Sequence, residues 1–400
     1  MRIQFIIIHF LFICTSQVTA QRWCEVNGHY DEITELSIQN KSSIIRPRSE
    51  RWFHVVVHDV SRSGSPVSDA QIVHQIDLLN NDFAKKGANI HKLREEFQNL
   101  AADTEIRFCL ATEDPDGNPT SGVTYSNTSI DRIALATEMG RKVIHYDQLG
   151  GKTGWDPARY INIWIADYGE SGILGYGSIP GTAPYPEEIG LVMDRKSFGA
   201  TGSASSGGFY NKGHTLTHEM GHFFGLLHIW GEEDESCTDS DEVEDTPNAT
   251  GPYLGCPSGR QESCGVSNMY QNFMDLTDDR CLAAFTHGQA MRMQATIDLF
   301  YPDLAWDAPC HDEIQSLEEW WTELKWAYDD NSDQYVLYNM KEFGGKVDVQ
   351  VFSMDGKRIA VDQLHGERSH RINMHGIPPG IYLVVINAGE QRFVRKIVNY

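Results

Sequence analysis

This 400-residue sequence contains no long apolar run and comparatively little positive charge. Its longest apolar stretch, residues 3–14, is shorter than the ~20 residues that a membrane-spanning helix needs. Lysine and arginine number 33 against 56 aspartate and glutamate residues, so the formal net charge is −23. A surface of that sign repels nucleic acid and anionic lipid, so we expect no nucleic-acid partner and no membrane span.

Cysteine is also scarce, and its placement matters because the N-terminus has the pattern of an export signal. Arg2 precedes the apolar stretch, and Val18-Thr19-Ala20 fits the small-residue cleavage rule. We expect residues 1–20 to be a signal peptide and the protein to be secreted, either extracellular or attached to the cell surface. Cys14 belongs to this segment, and the seven cysteines that follow it can form disulfides outside the cytoplasm. Their odd number leaves at least one of them without an intramolecular partner.

The middle of the chain alternates strand and helix patterns, which predicts an α/β fold. Residues 52–60 (WFHVVVHDV) are β-branched and alternate in polarity, as a strand does. Residues 69–86 carry apolar side chains at helical spacing, as do residues 213–225. Further strands are predicted at residues 105–111, 160–167 and 190–194. Thr286 and Gln289 form a capping-box signature, which predicts a helix through residue 299.

The composition changes after residue 309, and the length of the chain favours more than one folded unit. We interpret residues 310–330 as a linker. Beyond it lie two hairpin patterns, residues 346–361 around Asp355-Gly356 and residues 381–398 around Ala388-Gly389. They predict a small all-β domain at residues 331–400.

The strongest chemical signal is the segment from Thr217 to His228, which reads THEMGHFFGLLH. Two histidines four residues apart lie on one face of a helix, so His218 and His222 can bind one ion. Gly225 permits the chain to turn back and bring His228 as a third ligand. Three protein ligands leave one coordination position open, as in catalytic zinc sites, and Glu219 is placed to act as the general base.

The alternative interpretation of this segment is a buried helix whose histidines are incidental. The five-residue HExxH pattern alone is compatible with that interpretation, because it arises by chance. The extended HExxHxxGxxH pattern at a loop-to-helix transition in an exported chain favours zinc instead.

The extended motif resembles that of the metzincins, zinc proteases with a methionine-containing turn below the metal. Asn272-Phe273-Met274-Asp275 matches this turn. The surrounding segments Cys237-Thr238-Asp239, Asp245-Thr246-Pro247 and Asp278-Asp279-Arg280-Cys281 resemble the pappalysin family in particular. The resemblance implies a two-subdomain metalloprotease domain at residues 51–309, with a twisted mixed sheet above the active-site helix. It also implies that an edge strand around residues 190–194 binds an extended substrate.

These features predict a secreted zinc-dependent endopeptidase that acts on protein or peptide substrates. One departure from the family pattern bears on turnover: Leu276 stands two residues after Met274, where pappalysins usually carry a tyrosine whose hydroxyl supports the oxyanion. Loss of one such donor typically costs ~10²–10³ in rate. The alternative function is therefore a catalytically weak zinc-fold adhesin or binding module.

The resemblance also implies two disulfides, Cys237–Cys264 and Cys256–Cys281. Cys109 and Cys310 could form a third, although nothing in their spacing demands it. Calcium is a further expected cofactor, because the acidic loop before the methionine turn offers hard oxygen ligands. The candidate calcium ligands are Asp239, Asp241, Asp245 and Thr246.

Residues 21–50, here called the pro-segment, suggest a zymogen. Cys24 lies in this segment and can bind the zinc as a thiolate, although an unpaired surface cysteine is the alternative. Related pappalysins tend to cut before arginine or lysine by means of a carboxylate in the specificity pocket, and Asp278 and Asp279 are candidates for it. The same preference makes Glu50–Arg51 a candidate self-cleavage bond.

The C-terminal hairpins resemble the sorting domain of the type IX secretion system. The segments that carry this resemblance are VFSMDGK at residues 351–357, GIYLV at residues 380–384 and VRKIV at residues 394–398. The resemblance implies that the type IX machinery is a partner. Small β-sandwiches that bind sugar or pack on a catalytic domain look similar.

Overall fold

The computed structural model describes most of the chain between residues 23 and 399. The described residues are 23–27, 35, 38–39, 50–62, 66–206, 208–231, 236–306, 325–329, 334–338, 347–354, 356–364, 369–374, 376–388 and 391–399. The predicted signal peptide and Cys310 lie outside them.

A mixed sheet of eight strands forms the centre of the fold, in the order β1-β8-β9-β7-β2-β12, with β3 and β4 also paired to β2. Its strands are β1 (Trp23–Asn27), β2 (Arg51–Arg62), β3 (Ile106–Leu110), β4 (Val123–Thr128), β7 (Ile161–Ala166), β8 (Ile173–Ser178), β9 (Leu191–Asp194) and β12 (Ala305–Trp306). Two short hairpins, β5 (Thr137–Glu138) with β6 (Arg141–Lys142) and β10 (Glu262–Ser263) with β11 (Val266–Ser267), lie outside it.

Strand β2 is covered on both faces along nearly its whole length, although it carries polar as well as apolar side chains. Phe53, Val55 and Val57 enter the main core on one face, whereas Val60 enters a second core on the other face. A strand covered on both faces also buries its polar side chains, and His58 and Asp59 are each at most 1% exposed. The predicted strands at residues 52–60, 105–111, 160–167 and 190–194 are all present, within a few residues at each end.

Three described α-helices pack below the sheet: α1 (Asp69–Phe83), α2 (His214–Phe223) and α3 (His287–Phe300). Ser68 caps α1, and the predicted capping box of Thr286 and Gln289 is present at the start of α3. Apolar residues of all three helices share the main core with β2. No helix in the described ranges is long and apolar enough to cross a membrane. The expected α/β fold is confirmed.

The prediction of an edge strand around residues 190–194 is wrong. Strand β9 lies inside the sheet, between β7 and β8, and β8 runs antiparallel to it. The edge of the catalytic sheet is therefore β8, and β1 of the pro-segment pairs with β8 in parallel. The order of strands depends on how the chain crosses the sheet, which the local pattern of residues 190–194 does not contain.

The C-terminal part contains two antiparallel sheets, β16-β15-β18-β19 and β13-β14-β17. Their strands are β13 (Lys325–Asp329), β14 (Gln334–Tyr338), β15 (Val347–Ser353), β16 (Arg358–Leu364), β17 (Ser369–Asn373), β18 (Gly380–Ala388) and β19 (Gln391–Asn399). Both predicted hairpins are present, as β15–β16 and β18–β19. Strand β13 lies in the stretch interpreted as a linker, so the β region begins before residue 331.

His145 is a buried imidazole in the second core. It is 1% exposed, and neither ring nitrogen has a hydrogen-bond partner in the described structure. Its ring meets Trp164 edge-on, with 4.3 Å between ring centroids. Burial lowers the pKa of His145 to about 3, because a charged imidazole would lose its hydration here.

His145 should therefore make the fold less stable as the pH falls. In the unfolded chain it titrates near 6.5, so between pH 6.5 and about 3 only the unfolded state binds the proton. Its contribution to stability is complete above pH 6.5 and is lost as the pH falls through that window. Relative to His145→Leu, the wild type should lose about 3 kcal/mol of unfolding free energy between pH 6.5 and 4.

Urea unfolding at several pH values measures the difference in unfolding free energy between the wild type and His145→Leu. Because the substitution also alters packing, the test is how this difference changes with pH and not its absolute size. The exposed residue His91 provides a control in His91→Leu, which should run parallel to the wild type. Parallel curves for His145→Leu and the wild type would contradict the assignment.

Candidate active site

Helix α2 carries two of the three predicted ligands. It begins after Gly213, which has a φ of 79° and serves as the N-cap. His218, Glu219 and His222 are each at most 1% exposed. The helix therefore presents these polar side chains to the interior, where each needs a partner or an ion.

The chain turns back after α2 at Gly225, as predicted. Gly225 has a φ of 84°, its N–H donates to the His222 carbonyl, and the Leu226 N–H donates to the Gly221 carbonyl. This pair of bonds is the glycine-dependent helix ending in which a left-handed residue reverses the chain. His228 follows and completes the group, and its ring stacks on Trp230 with 4.4 Å between centroids.

The three histidines direct their Nε2 atoms toward one point. The Nε2 atom of His222 lies 3.1 Å from that of His218 and 3.3 Å from that of His228. A tetrahedral zinc ion with Zn–N distances of about 2.0–2.1 Å requires separations of roughly 3.3–3.4 Å between its ligand nitrogens. The distances from the His222 nitrogen to the other two are therefore close to those that such an ion requires.

The hydrogen bonds of the other ring nitrogens support the same assignment. His218 Nδ1 lies 2.7 Å from the Phe273 carbonyl, and His222 Nδ1 lies 2.8 Å from the Leu226 carbonyl. A carbonyl only accepts, so both Nδ1 atoms carry the proton and both Nε2 atoms present lone pairs. Two lone pairs about 3 Å apart repel each other unless a cation lies between them.

The methionine turn forms the floor of this site. Met274 is fully buried, and a Cβ built at Gly221 would clash with its sulfur, so a larger residue at that point of α2 would have to displace the methionine. Asn272 accepts from the Met274 N–H at 2.9 Å and exchanges side-chain hydrogen bonds with Gln289 of α3. Met274 thus contacts α2 at Gly221, and its role as an apolar floor under the metal stays a prediction.

Glu219 lies beneath the edge strand. A Cβ built at Gly175 of β8 would lie 3.2 Å from Glu219 Cγ and 3.0 Å from the sulfur of Met193. Glycine at this position therefore lets β8 pass close above the carboxylate. Glu219 and β8, the edge strand of the catalytic sheet, are therefore neighbours.

A supporting acid that motif analysis missed is Asp82 of α1. Its Oδ2 atom lies 2.7 Å from both His214 Nδ1 and Thr217 Oγ1, at the start of α2. Asp82 is 2% exposed. The sequence feature that could have indicated its role is its position on the apolar face of α1, because a polar side chain that is buried there needs a hydrogen-bond partner.

The candidate calcium ligands are not gathered into one group. Asp241 accepts from Thr246 Oγ1 through both carboxylate oxygens, at 2.7 and 2.8 Å. Asp245 accepts from Thr286 Oγ1 and from the Gly288 N–H at the start of α3. Asp239 accepts from the Ser240 N–H. Within the described ranges, the three histidines are the only group of His, Cys, Asp or Glu ligands close enough to share an ion.

Asp278 and Asp279 follow the methionine turn and are both buried, with 3% and 0% exposure. Asp278 forms an ion pair with the exposed Arg280 at 3.1 Å, and Asp279 accepts from the Lys212 N–H at 2.7 Å. Leu276 packs against the main core, partly buried. Its aliphatic side chain supplies no hydroxyl at the position where pappalysins have one.

The disulfides implied by the resemblance are both present. Cys237 is bonded to Cys264, and Cys256 is bonded to Cys281, with Cα–Cα distances of 5.4 and 5.7 Å. Cys109 is also disulfide-bonded, and Cys310, the partner considered for it, lies outside the described residues. The first bond ties the acidic loop to the segment before the methionine turn, and the second ties Cys256 to the segment after that turn.

Comparison with known proteins places this site in a protein class. The family model "Pregnancy-associated plasma protein-A", of the M43 peptidases, matches residues 146–298. An extracellular metalloprotease of Arthroderma gypseum is 30% identical over 297 residues, which cover 70% of this chain and 85% of the relative. A second, from Trichophyton verrucosum, is 37% identical over 252 residues, covering 61% and 75%.

Solved structures agree with this placement. Mature mirolysin of Tannerella forsythia, in complex with a cleaved peptide, is 38% identical and has a TM-score of 0.59, covering 64% of this chain and 96% of that chain. A promirolysin mutant from the same organism is 37% identical and has a TM-score of 0.61, covering 68% and 89%.

The fold and the site are those of a metzincin-type metalloprotease. More particularly, the chain belongs to the pappalysin family of M43 peptidases. The family model "Secretion system C-terminal sorting domain" matches residues 333–399, and the expected sorting domain and extracellular or cell-surface location are confirmed.

Proposed function

We propose that this protein is a zinc-dependent endopeptidase that is made as a zymogen. The observation that carries the proposal is the convergence of three imidazole nitrogens, two of them on buried side chains, beside Glu219 and under the edge of the catalytic sheet. His218, His222 and His228 would hold the zinc. Zinc bound by these residues supplies a Lewis acid that lowers the pKa of a water molecule to about 7.

The chain's own groups perform the remaining tasks. Once β1 has left, the backbone of β8 can bind an extended peptide as an added strand, which brings a scissile carbonyl over α2. Glu219 takes the proton of the attacking water and delivers it to the leaving amine. Nδ1 contacts to the Phe273 and Leu226 carbonyls hold His218 and His222 in the tautomer that a metal needs.

Digestion of a denatured protein by the processed enzyme tests this function. A zinc chelator should abolish cleavage, and added zinc should restore it. Leu276 is the observation that favours the alternative of a weak zinc-fold adhesin. Fully zinc-loaded, processed protein that cuts no substrate would support the adhesin and reject the peptidase.

Cys24 is the proposed ligand that keeps the zymogen inactive. The backbone of Cys24 is paired in register with Gly175, and Gly175 lies above Glu219. Strand β1 therefore occupies the edge where a substrate strand would add. A thiolate from this position would fill the fourth coordination site and exclude water.

Processing at Glu50–Arg51 and specificity for arginine or lysine after the cut are proposed together. Arg51 is 7% exposed, its N–H donates to the Glu105 carbonyl at 2.8 Å, and its side chain pairs with Asp298. Arg51, the first residue of β2, must therefore release its contacts with Glu105 and Asp298 before the Glu50–Arg51 bond is cut. Afterwards the Asp298 contact can hold the new N-terminus on α3.

N-terminal sequencing of the matured wild type, beside the purified Glu219→Ala protein, tests the processing. We expect Arg51 as the first residue of the wild type and no cleavage of the mutant. A peptide-library digest with Asp278→Asn and Asp279→Asn should show at least one variant losing its preference for arginine and lysine by about tenfold or more. If the purified Glu219→Ala protein is cut at the Glu50–Arg51 bond, autolysis is rejected. If the wild type shows no preference for arginine or lysine in the peptide library, the assignment of the specificity pocket is rejected.

Deletion of residues 325–400 should separate secretion from catalysis. The β region meets the catalytic part through packing of β18 against α1 and through a hydrogen bond from Ser121 Oγ to the Met354 carbonyl at 3.0 Å. We expect the truncated protein, purified from a heterologous host, to cleave peptides within about threefold of the full chain, because no ligand lies in the deleted part. In its native host it should not reach the surface through the type IX machinery, and equal secretion of both forms would contradict the sorting role.

Calcium in the acidic loop remains a proposal. Asp241 is 1% exposed, and burial raises its pKa to about 8. A nearby divalent cation would favour its ionised form. Metal analysis after dialysis against a zinc-selective chelator would show whether calcium remains bound.

A further inference from the structure

Arg292 of α3 is a charged side chain inside the catalytic part, only 2% exposed. Its guanidinium makes three hydrogen bonds. Nε donates to the Gly225 carbonyl at 2.8 Å, whereas Nη1 and Nη2 donate to the two carboxylate oxygens of Glu35, the second at 2.8 Å. The residue that neutralises this buried charge therefore belongs to the pro-segment.

The pro-segment approaches Arg292 with one face of a helical stretch. Glu35, Ile38 and Gln39 are all helical, and spacings of three and four residues place them on the same side. Ile38 is fully buried, and Gln39 Nε2 donates to Glu242 at 2.6 Å. The Glu35 side chain is 18% exposed, so the ion pair lies just beneath the surface.

No other described group replaces Glu35. Asp241 is the acid whose pKa is affected by the charge of Arg292, but it makes its hydrogen bonds with Thr246 and Val243. A guanidinium that is buried and planar favours a carboxylate that can accept two parallel hydrogen bonds.

The position of Arg292 also links this contact to the metal site. The carbonyl that accepts from Nε belongs to Gly225, the residue at which the chain turns toward His228. The contact with Glu35 lies on α3, whereas β1 lies on the edge of the sheet. The pro-segment therefore binds the catalytic part at two separate places.

We propose that Arg292 forms a carboxylate-binding site that receives Glu35 and lets the cleaved pro-segment rebind the mature chain independently of Cys24. The site takes an amphipathic helical segment that presents a glutamate three residues before a buried aliphatic side chain. This inference rests on the proposed zymogen, but its test measures binding and needs no catalysis.

The test uses the full Glu219→Ala chain after its pro-segment has been removed by proteolysis and separated. Synthetic peptides of residues 21–50, all carrying Cys24→Ser, are titrated by calorimetry. The peptide with no further change should bind. Adding Glu35→Gln should weaken binding about 30-fold or more, because one buried charge then lacks its partner.

Gln39→Ala in the same peptide is the matched control, since it removes an exposed hydrogen bond from the same helical face. It should change the affinity by less than about threefold. When the protein carries Arg292→Lys, the peptide with Glu35→Gln and the peptide without it should bind with nearly the same affinity. If the Arg292→Lys protein does not fold, the affinities of the peptides for the protein without that change test the proposal by themselves.

Several results would overturn the proposal: no binding by the Cys24→Ser peptide, a loss below fivefold for Glu35→Gln, or an equal loss for Gln39→Ala. Failure of the peptidase function would appear in the digestion assay and would leave these affinities unchanged. A peptide that binds only with its cysteine intact would assign the affinity to Cys24 and the metal.

Discussion

Glu219→Ala should keep the fold and the metal but lower peptide hydrolysis by about 10³–10⁴-fold. The three imidazole ligands remain in place, whereas no group is left to take the proton of the attacking water. Glu219 is 1% exposed and lies under Gly175, so no solvent carboxylate can substitute for it. The effect should therefore fall on kcat with little change in KM.

Single-turnover cleavage of a fluorogenic peptide measures the loss, and metal analysis of the same sample shows whether zinc is retained. Glu244→Ala, at an exposed glutamate of the acidic loop, is the matched control and should keep full activity. If Glu219→Ala retained activity within tenfold of the wild type, Glu219 would not be the general base.

His222→Ala should instead lose the metal. His222 is the central one of the three proposed ligands, with its Nε2 atom about 3 Å from those of both other histidines. Its Nδ1 contact with the Leu226 carbonyl also holds the turn that places His228. Removing one of three protein ligands should lower zinc affinity by at least about 10²–10³-fold, and activity should fall with it.

Zinc stoichiometry after dialysis against a weak chelator distinguishes this loss from a purely catalytic defect. The exposed histidine His74 provides the control in His74→Ala, which should keep one zinc per chain. Undiminished zinc in His222→Ala would show that the metal is held elsewhere. High zinc concentrations should restore part of the activity of His222→Ala but none of that of Glu219→Ala.

Local patterns predicted the parts of the site that depend on neighbouring residues. The four-residue spacing of His218 and His222, the turn at Gly225 and the capping box of Thr286 with Gln289 all follow from the geometry of one helix turn. The disulfides and the methionine turn came from the family resemblance, because many pairings of seven cysteines fit the spacing.

The sequence by itself thus determined the main strands and helices of the catalytic part and the extracellular or cell-surface location of the chain, and it predicted the metal ligands and the general base. Only the tertiary structure decided which strand forms the edge, because strand order depends on the path of the chain across the sheet. It also decided that Arg292 meets Glu35, 257 residues away, and that Asp82 supports α2. In sequence these are ordinary charged residues, and only burial makes each one require a particular partner.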